Sequence, residues 1–462
     1  FETDVGERFG DGYSDEALGE QMCVRRDNLR FLCDNHGGPV TVISQLCREA
    51  GMRFFPSVRM NEHYDIDEMA PNYGQLRRTK PHLLIGLPGE AIPKGTLEWG
   101  IRTGLNYAVP DVREYMLKII FELVEEFEID GIELDFMRHP AFFRVEEAFA
   151  QRHLITEMVR LVRAKLDTVG SIRHSHIDLA VRVPPTLTDS RRIGLDAEKW
   201  VREGLVDILI AGGGFIPFEM PIASFVGLAN ESSSRVFGCF EGLRPLLDKE
   251  ALRAVATRYW AHGVDGLYFF NYYSMPSDWK KNFLSELVDP SVMVEKNKQY
   301  QIDSSGRSEP TSQLGFSFSN AIPKAQLPVC LRETPSGCGL VLFIDLSDDI
   351  KVNSPDRCIL GFNFESMINE QLLSLSFNGC PIDWQADQQN LHLWSTTQYN
   401  ADWDKYPSRV KETSGDDGWQ VEFKIFPSAL EAGVNELELT MQKGNPIWLL
   451  GVRLWLQYGD DD

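Results

Sequence analysis

Between about residues 38 and 285, the chain repeats one unit: an amphipathic helix, then a short apolar strand, then a polar loop. The clearest example is DVREYMLKIIFELVEEFE, in which apolar residues recur at the 3.6-residue spacing of a helix, followed by a strand in IDGIELDFMRHP. Such alternation is typical of βα units that build a parallel sheet. No other feature of the sequence restricts the fold as strongly.

The strand count favours a closed (β/α)8 TIM barrel over an open sheet, because no Gly-rich dinucleotide turn follows the first strand. We predict strands near residues 53–60, 131–137, 178–183, 206–210, 235–240 and 266–271, with a weaker one between 82 and 105. These are one short of eight. We expect residues 1–10 to be the end of a first strand that is otherwise missing upstream of Phe1; a short, irregular strand within 1–10 is the alternative.

After about residue 300 the pattern changes to short apolar segments separated by Gly, Asn, Asp and Pro, which is typical of an antiparallel β-sandwich. Six strands are predicted, in GLVLFIDL, RCILGFNFE, LLSLSFNG, WQVEFKIF, NELELTMQ and IWLLGVRLWLQY. We therefore predict a barrel catalytic domain at residues 1–295, a linker at 296–313 and a β-sandwich accessory domain at 314–462.

Charge and cysteine content exclude several classes of function. The 46 basic and 68 acidic residues give a formal net charge of −22, which argues against a nucleic-acid partner. No apolar run is long enough to span a membrane. The eight cysteines lack zinc-finger spacing, and no nucleotide-binding loop is present, so no cofactor is expected. Buried free thiols are expected for Cys47 and Cys239, and Cys330 could form a disulfide with Cys338.

Catalytic candidates are sought at the carboxyl ends of the strands, where the active sites of barrels lie. In DGIELDFMRHP, apolar residues alternate with Glu133 and Asp135, so both carboxyls should face the barrel interior, with Asp135 nearer the mouth. Two buried carboxylates cost free energy unless they are paired or catalytic. The alternative to catalysis is a buried structural ion pair with Arg59 or Arg182.

The second carboxyl candidate is Glu241, at the end of the predicted strand RVFGCFEG. Glycosidases need two carboxyl groups flanking the scissile bond, and the fourth and seventh strands of a barrel lie across its mouth from each other. A surface glutamate is the alternative interpretation. Asp189 and Glu219, in the loops after the fifth and sixth strands, are weaker candidates.

Polar and aromatic side chains near other strand ends could bind a sugar, which needs hydrogen bonds together with flat apolar faces. The candidates are Arg59, Asn61, His63, Arg182, Asn271 and Tyr273. Arginines also suit a carboxylated or sulfated sugar, whereas core packing is the alternative role for the aromatics. Asn61, His63 and Asp65 could hold a metal, but their spacing matches no known metal motif, so we expect none.

The stretch DGIELDFMRHP resembles the Asp-Gly-Ile-x-Leu-Asp-(Tyr/Phe)-x-Arg-x-Pro signature of family-10-like glycosyl hydrolases. The resemblance covers about residues 1–285 and implies a (β/α)8 barrel with functional Asp135 and Arg138. Glu241 is similar in position to the clan A nucleophile, whereas the Asn-Glu pair that usually ends the fourth strand there is replaced by Leu134-Asp135. Members are commonly bacterial and exported, which implies a secreted or periplasmic location.

We therefore predict a glycoside hydrolase with a carbohydrate substrate. Asp135 is the expected general acid, its pKa raised by burial and by Glu133, and Glu241 is the nucleophile or base. The remaining candidates, Glu133 and Arg138 among them, would orient the sugar. One alternative is a non-catalytic carbohydrate-binding barrel, and another is a polysaccharide lyase that relies on Tyr273 and His63. We expect the sandwich to brace the barrel.

Overall fold

The structure is a computed structural model that describes residues 3–63, 74–212, 216–241, 247–304, 325–334, 338–365, 372–382, 391–394 and 418–459. It divides into two compact units. Of the described residues, the first unit contains 3–63, 74–212 and 224–236, and the second contains 216–223, 237–241, 247–304 and those from 325 onward.

Helices dominate the first half of the chain. Within the described residues they are α1 (Asp15–Leu18), α2 (Glu20–His36), α3 (Gly38–Glu49), α4 (Gln75–Thr79), α5 (Leu97–Ile101), α6 (Pro110–Glu126), α7 (Val145–Arg173), α8 (Leu187–Arg192), α9 (Ala197–Arg202), α10 (Ile222–Ala229), α11 (Lys249–Ala261) and α12 (Leu284–Leu287). The helix predicted in DVREYMLKIIFELVEEFE is confirmed as α6, and the helices expected of the repeated unit include α3, α7, α9 and α11. None of the helices described here is long and apolar enough to cross a membrane.

Strands continue to the end of the chain. Those described are β1 (Ser57–Arg59), β2 (Gly131–Asp135), β3 (Asp178–Val183), β4 (Ile208–Ala211), β5 (Arg235–Glu241), β6 (Gly266–Phe270), β7 (Lys298–Ile302), β8 (Val329–Leu331), β9 (Leu340–Leu346), β10 (Arg357–Phe364), β11 (Leu372–Phe377), β12 (Cys380–Ile382), β13 (Leu391–Trp394), β14 (Gly418–Ile425), β15 (Gly433–Lys443) and β16 (Ile447–Gln457). Short 3-10 or π-helical turns occur at Pro81–Leu83, Tyr272–Ser274, Trp279–Phe283 and Pro427–Ala429.

Six parallel strands follow the order β1-β2-β3-β4-β5-β6, which confirms the predicted parallel βα arrangement. In the first unit, β2 and β3 are buried along their whole length. Asp135 on β2 is aligned with Arg59 on β1 and with Arg182 on β3. In the second unit, the end of β5 pairs with β6, so that Glu241 is aligned with Phe270.

The weaker strand predicted between residues 82 and 105 is wrong. That segment contains a 3-10 turn and α5, and its Leu84 forms only an isolated antiparallel bridge with Leu105. Prolines and glycines interrupt this segment, and a short apolar run does not by itself distinguish a strand from a helix. Residues 3–10 form no strand either, so six of the eight strands expected of a barrel lie within the described residues.

The second unit also contains two antiparallel sheets. Their strand orders are β13-β14-β10-β16-β7, with β8 also pairing with β16, and β12-β11-β15-β9. The six strands predicted after residue 300 are confirmed as β9, β10, β11, β14, β15 and β16. The missed strands β7, β8, β12 and β13 are three to five residues long, which leaves little periodic signal.

Strand β7 lies inside the segment predicted to be a linker. Its polar sequence KQYQI is buried because Lys298 Nζ contacts Asp348 Oδ1 at 2.7 Å, and the Tyr300 hydroxyl donates to the other oxygen of the same carboxylate. Paired polar groups therefore take the place of an apolar pattern in this strand.

All eight cysteines are free thiols, so Cys330 and Cys338 form no disulfide, although both line one cavity of about 240 Å³. Burial of Cys239 is confirmed. The predicted burial of Cys47 is wrong, because this residue is only half-buried on α3.

Candidate active site

The carboxyl-terminal edge of the parallel sheet in the first unit presents Arg59, Asp135 and Arg182 in one row. Residues aligned across parallel strands point to the same face of a sheet. Asp135 and Arg182 are each only 1% exposed, and Glu133, two residues earlier on β2, is also buried. Arg59 lies on the edge strand, and its side chain is 42% exposed, 3.6 Å from Glu62. The predicted burial of both carboxyls is confirmed.

All of the described contacts of the Asp135 carboxyl involve the same oxygen, Oδ1. Oδ1 lies 3.3 Å from Nε of Arg182 and accepts hydrogen bonds from the backbone amides of Met137 at 2.9 Å and Arg138 at 3.1 Å. The ion pair considered as the alternative to catalysis is therefore formed. The same contacts curl the chain around the carboxyl after β2, which sets the direction of the side chains that follow.

Two buried histidines pack together beside this turn. The backbone amide of His63 donates to Nδ1 of His139 at 3.3 Å, and the two rings meet nearly at right angles with centroids 4.5 Å apart. Burial lowers the pKa of His63 to about 3, and the charges of Arg77 and Arg138 act in the same direction. Burial and the nearby positive charges also hold the pKa of His139 well below its usual value. Both imidazoles are therefore neutral at pH 7.

Several buried polar atoms in this region lack a hydrogen-bond partner. Arg138 is 8% exposed, and within the described structure its Nε and Nη1 donate to no acceptor; both ring nitrogens of His63 are likewise unpartnered. Arg77 donates through Nη2 to the carbonyl of Glu62, but no described residue pairs with its buried Nε. Unpaired buried donors cost free energy, so this edge retains unused capacity for binding.

Sequence reasoning identified Arg138 and His63 but missed two members of the group. His139 directly follows Arg138 in the motif DGIELDFMRHP, and its place beside Arg138 is the one sequence signal that could have identified it. Arg77 lies on α4, a short helix whose position at this edge depends on tertiary structure. Asp65, considered as a metal ligand, lies outside the described residues.

The side-chain amide of Asn61 forms its hydrogen bonds with other residues of the protein. Its Nδ2 donates to the carbonyls of Leu105 at 2.9 Å and Ala141 at 2.6 Å, while its Oδ1 accepts from the amides of Leu105 and Glu62, both at 2.9 Å. An amide side chain has two donors and two acceptor positions, so this capacity is full. Asn61 therefore joins loops, and we leave it out of the sugar-binding set.

In the second unit, Glu241 is buried at the end of β5. Beside it, Phe240 stacks on Phe269 with ring centroids 4.8 Å apart. Tyr272 is also buried: desolvation raises the pKa of its hydroxyl, with smaller effects from Cys239 and Glu241. Tyr272 therefore lies within electrostatic range of Glu241.

Tyr273, predicted to orient the sugar, is 75% exposed. The preceding Asn271 adopts a left-handed conformation with φ of 57°, which ends the alternation of β6. Tyr272 rather than Tyr273 consequently takes the inward position, a change that a period-two pattern could not predict.

The two weaker catalytic candidates are held by other protein groups. Asp189 accepts from the Thr186 hydroxyl at 2.5 Å and pairs with Arg192 at 2.8 Å. Glu219, in the second unit, contacts Gln326, and burial raises its pKa. Neither is added to the proposed site.

At the amino-terminal edge of the same sheet, His176, Asp178 and Asp207 are close enough to share a metal ion. The two carboxylates already pair with three arginines: Arg53, Arg163 and Arg235. Three positive charges around two carboxylates oppose the binding of a cation. Of the described residues, this cluster alone has the proximity of a metal site, and its charge disfavours one.

No protein-family model matches the chain, and no curated protein matches it. Solved structures give partial similarities. The PgaB (BpsB) glycoside hydrolase domain from Bordetella bronchiseptica is 11% identical, with a TM-score of 0.33 over 52% of this chain and 74% of that chain. The maltogenic α-amylase AmyB from Thermotoga neapolitana is 10% identical, with a TM-score of 0.32 over 88% and 79% of the two chains.

A β-porphyranase of glycoside hydrolase family 86 from Bacteroides plebeius is 8% identical, with a TM-score of 0.26 over 91% of this chain and 94% of that chain. These three structural neighbours are glycoside hydrolases, at low identity and low TM-score.

Proposed function

We propose that the protein is a glycoside hydrolase in which Asp135 and Glu241 supply the two carboxyl groups. The observation that carries this proposal is the buried Asp135 at the carboxyl end of β2, in the same cluster as unpartnered polar atoms of Arg138 and His63. A purely structural ion pair needs no such atoms nearby, whereas a substrate-binding site does. We further propose that the parallel strands belong to a (β/α)8 barrel, that the antiparallel sheets form an accessory sandwich, and that the protein is secreted or periplasmic.

In this proposal Asp135 is the general acid. Oδ1 is held by Arg182 and two backbone amides, and Oδ2 is the oxygen that we assign to proton delivery. The proton passes to the glycosidic oxygen as the bond to the anomeric carbon breaks. Glu241 either attacks that carbon or removes a proton from the attacking water.

The neighbouring side chains orient the sugar. Arg138 donates hydrogen bonds, and the neutral imidazole of His63 can donate at one ring nitrogen and accept at the other. Arg182 and Glu133 shape the floor beneath Asp135, and Arg59 lies at the exposed end of the row. In the second unit, Asn271 and the buried Tyr272 are the groups that we assign to the surroundings of Glu241.

The test is hydrolysis of an oligosaccharide panel by the full chain and by its Asp135→Asn and Glu241→Gln variants, with new reducing ends as the readout. We expect each variant to lose roughly 10²- to 10⁴-fold in rate, because each removes one acid–base group. Near-wild-type rates in both variants would overturn the mechanism. Sugar binding without turnover by the wild type would instead support a non-catalytic binding protein. An ultraviolet-absorbing 4,5-unsaturated product would identify a lyase.

A further inference from the structure

The cluster at this edge contains Arg138, Arg77, His63 and His139, and the first three have buried polar atoms with no partner among the described residues. Nε and Nη1 of Arg138 are buried with no acceptor among the residues that the structure describes, although a guanidinium stays charged at every accessible pH. Leaving a buried charged donor unpaired is among the more costly arrangements in a protein. An acceptor from outside the chain would remove that cost.

The side-chain charges that act on the two histidines are positive, and Arg59 also lies 3.6 Å from the carboxylate of Glu62. Three arginines, Arg59, Arg77 and Arg138, lie close enough for their charges to act on His139, and two of them act on His63. The two histidines are neutral and add no compensating negative charge. Asp135 is engaged by Arg182 and backbone amides. The missing acceptor is therefore expected to be an anion.

We infer that this cluster is a subsite for an oxyanion substituent of the sugar, either the carboxylate of a uronic acid or a sulfate ester. Arg138 would donate to an oxygen of this group from its planar fork of donors; its unpartnered Nε and Nη1 open on different edges of the guanidinium, so each takes a separate acceptor. His63 would add one hydrogen bond from its neutral ring. This inference rests on the proposed function, because it names the substrate class of the same site.

The chain offers a matched control for Arg138. Arg163 is equally buried, at 8% exposure in the same unit, but every arm of its guanidinium has a partner: Asp167 at 2.8 Å, Asp207 at 2.7 Å and the carbonyl of Ile177 at 2.9 Å. Replacing either arginine by methionine removes a buried guanidinium of the same kind. Only the substitution at Arg138 should weaken the binding of an anion from outside the chain.

The experiment is calorimetric titration of the full chain with trigalacturonate, with a sulfated galactan tetrasaccharide, and with neutral cellotetraose. We expect one of the two anionic probes to bind, with roughly tenfold to hundredfold weaker binding by Arg138→Met and an intermediate loss by Arg138→Lys, which keeps the charge but not the fork. Arg163→Met should bind as the wild type does. The probe that binds identifies the oxyanion as carboxylate or sulfate.

Two outcomes separate this inference from the proposed function. Neutral oligosaccharides bound and hydrolysed as well as anionic ones, with no effect of Arg138→Met, would overturn the subsite and support the hydrolase. Anion binding that depends on Arg138, without hydrolysis of any probe, would support the subsite and overturn the hydrolase. Equal loss of binding in Arg138→Met and Arg163→Met, with both variants folded, would also overturn the subsite.

Discussion

The two edges of the parallel sheet in the first unit carry similar charged residues, but they differ in whether the buried polar groups around these residues are paired. At the amino-terminal edge, Asp178 pairs with Arg53 at 2.8 Å and with Arg235 at 2.6 Å, and Asp207 pairs with Arg163. At the carboxyl-terminal edge, Asp135 pairs with Arg182, but buried nitrogens of its neighbours have no partner within the described residues.

The comparison shows that a buried ion pair does not by itself mark a site. Both edges have one, and by this criterion alone Asp178 and Asp135 are equivalent. What differs is the completeness of the surrounding hydrogen bonds. A closed network stabilises the fold, whereas an open one leaves polar groups for a ligand at a cost in stability.

The largest expected effect separates the two carboxylates. Asp135→Asn should lower the rate of hydrolysis roughly 10²- to 10⁴-fold, whereas Asp178→Asn should leave the rate within about threefold, since its partners stand at the other edge. Steady-state kinetics on purified, folded variants measures both. Equal losses of rate in the two variants would mean that Asp135 acts only through the fold.

A second prediction compares the stability of variants at Arg138 and Arg163. Arg163→Met removes the arginine donor to Asp207, to Asp167 and to the carbonyl of Ile177, so the free energy of unfolding should fall by about 2–3 kcal/mol. Arg138→Met removes buried donors that have no acceptor in the described part of the chain, so it should leave the free energy of unfolding unchanged or raise it by up to about 1 kcal/mol. Urea denaturation without sugar measures both. A larger loss in Arg138→Met would place its side chain in the structural network instead.

A third prediction concerns pH. The folded pKa of His63 is about 3, below the ordinary value of 6.5, so between these values the unfolded chain binds a proton that the folded chain does not. The free energy of unfolding therefore falls as pH decreases from 6.5 toward 3, by about 1.4 kcal/mol per pH unit for one histidine.

His63→Gln cannot take up this proton, so it should show a shallower decline over the same range. Denaturation at several pH values measures the slope. An unchanged slope, in this variant and in the double variant with His139→Gln, would contradict the assignment of two buried neutral imidazoles.

How much of this the sequence could predict depends on the range of the interaction. The alternation of Glu133 and Asp135 with apolar residues is a local signal, and both carboxyls are buried, as is every residue of β2. The engagement of Asn61 by Leu105 and Ala141 depends on residues 44 and 80 positions away, which no local pattern encodes. The unpaired atoms of Arg138 could not be predicted from the sequence either, because the residue type does not show which acceptors surround an arginine in the fold.

The smallest expected effect tests whether the anion subsite extends as far as Arg59 on β1. Arg59 is aligned with Asp135, yet its side chain is 42% exposed and 3.6 Å from Glu62. Exposed pairs of this kind contribute little, so Arg59→Ala should change the free energy of unfolding by less than about 0.5 kcal/mol. Its charge still acts near His139, so anion binding should weaken by a few-fold at low salt and by less at high salt. Titration at two ionic strengths measures this. A salt-independent loss as large as that of Arg138→Met would mean that Arg59 binds the anion directly, and the subsite would then extend from the buried turn after β2 to the exposed strand β1.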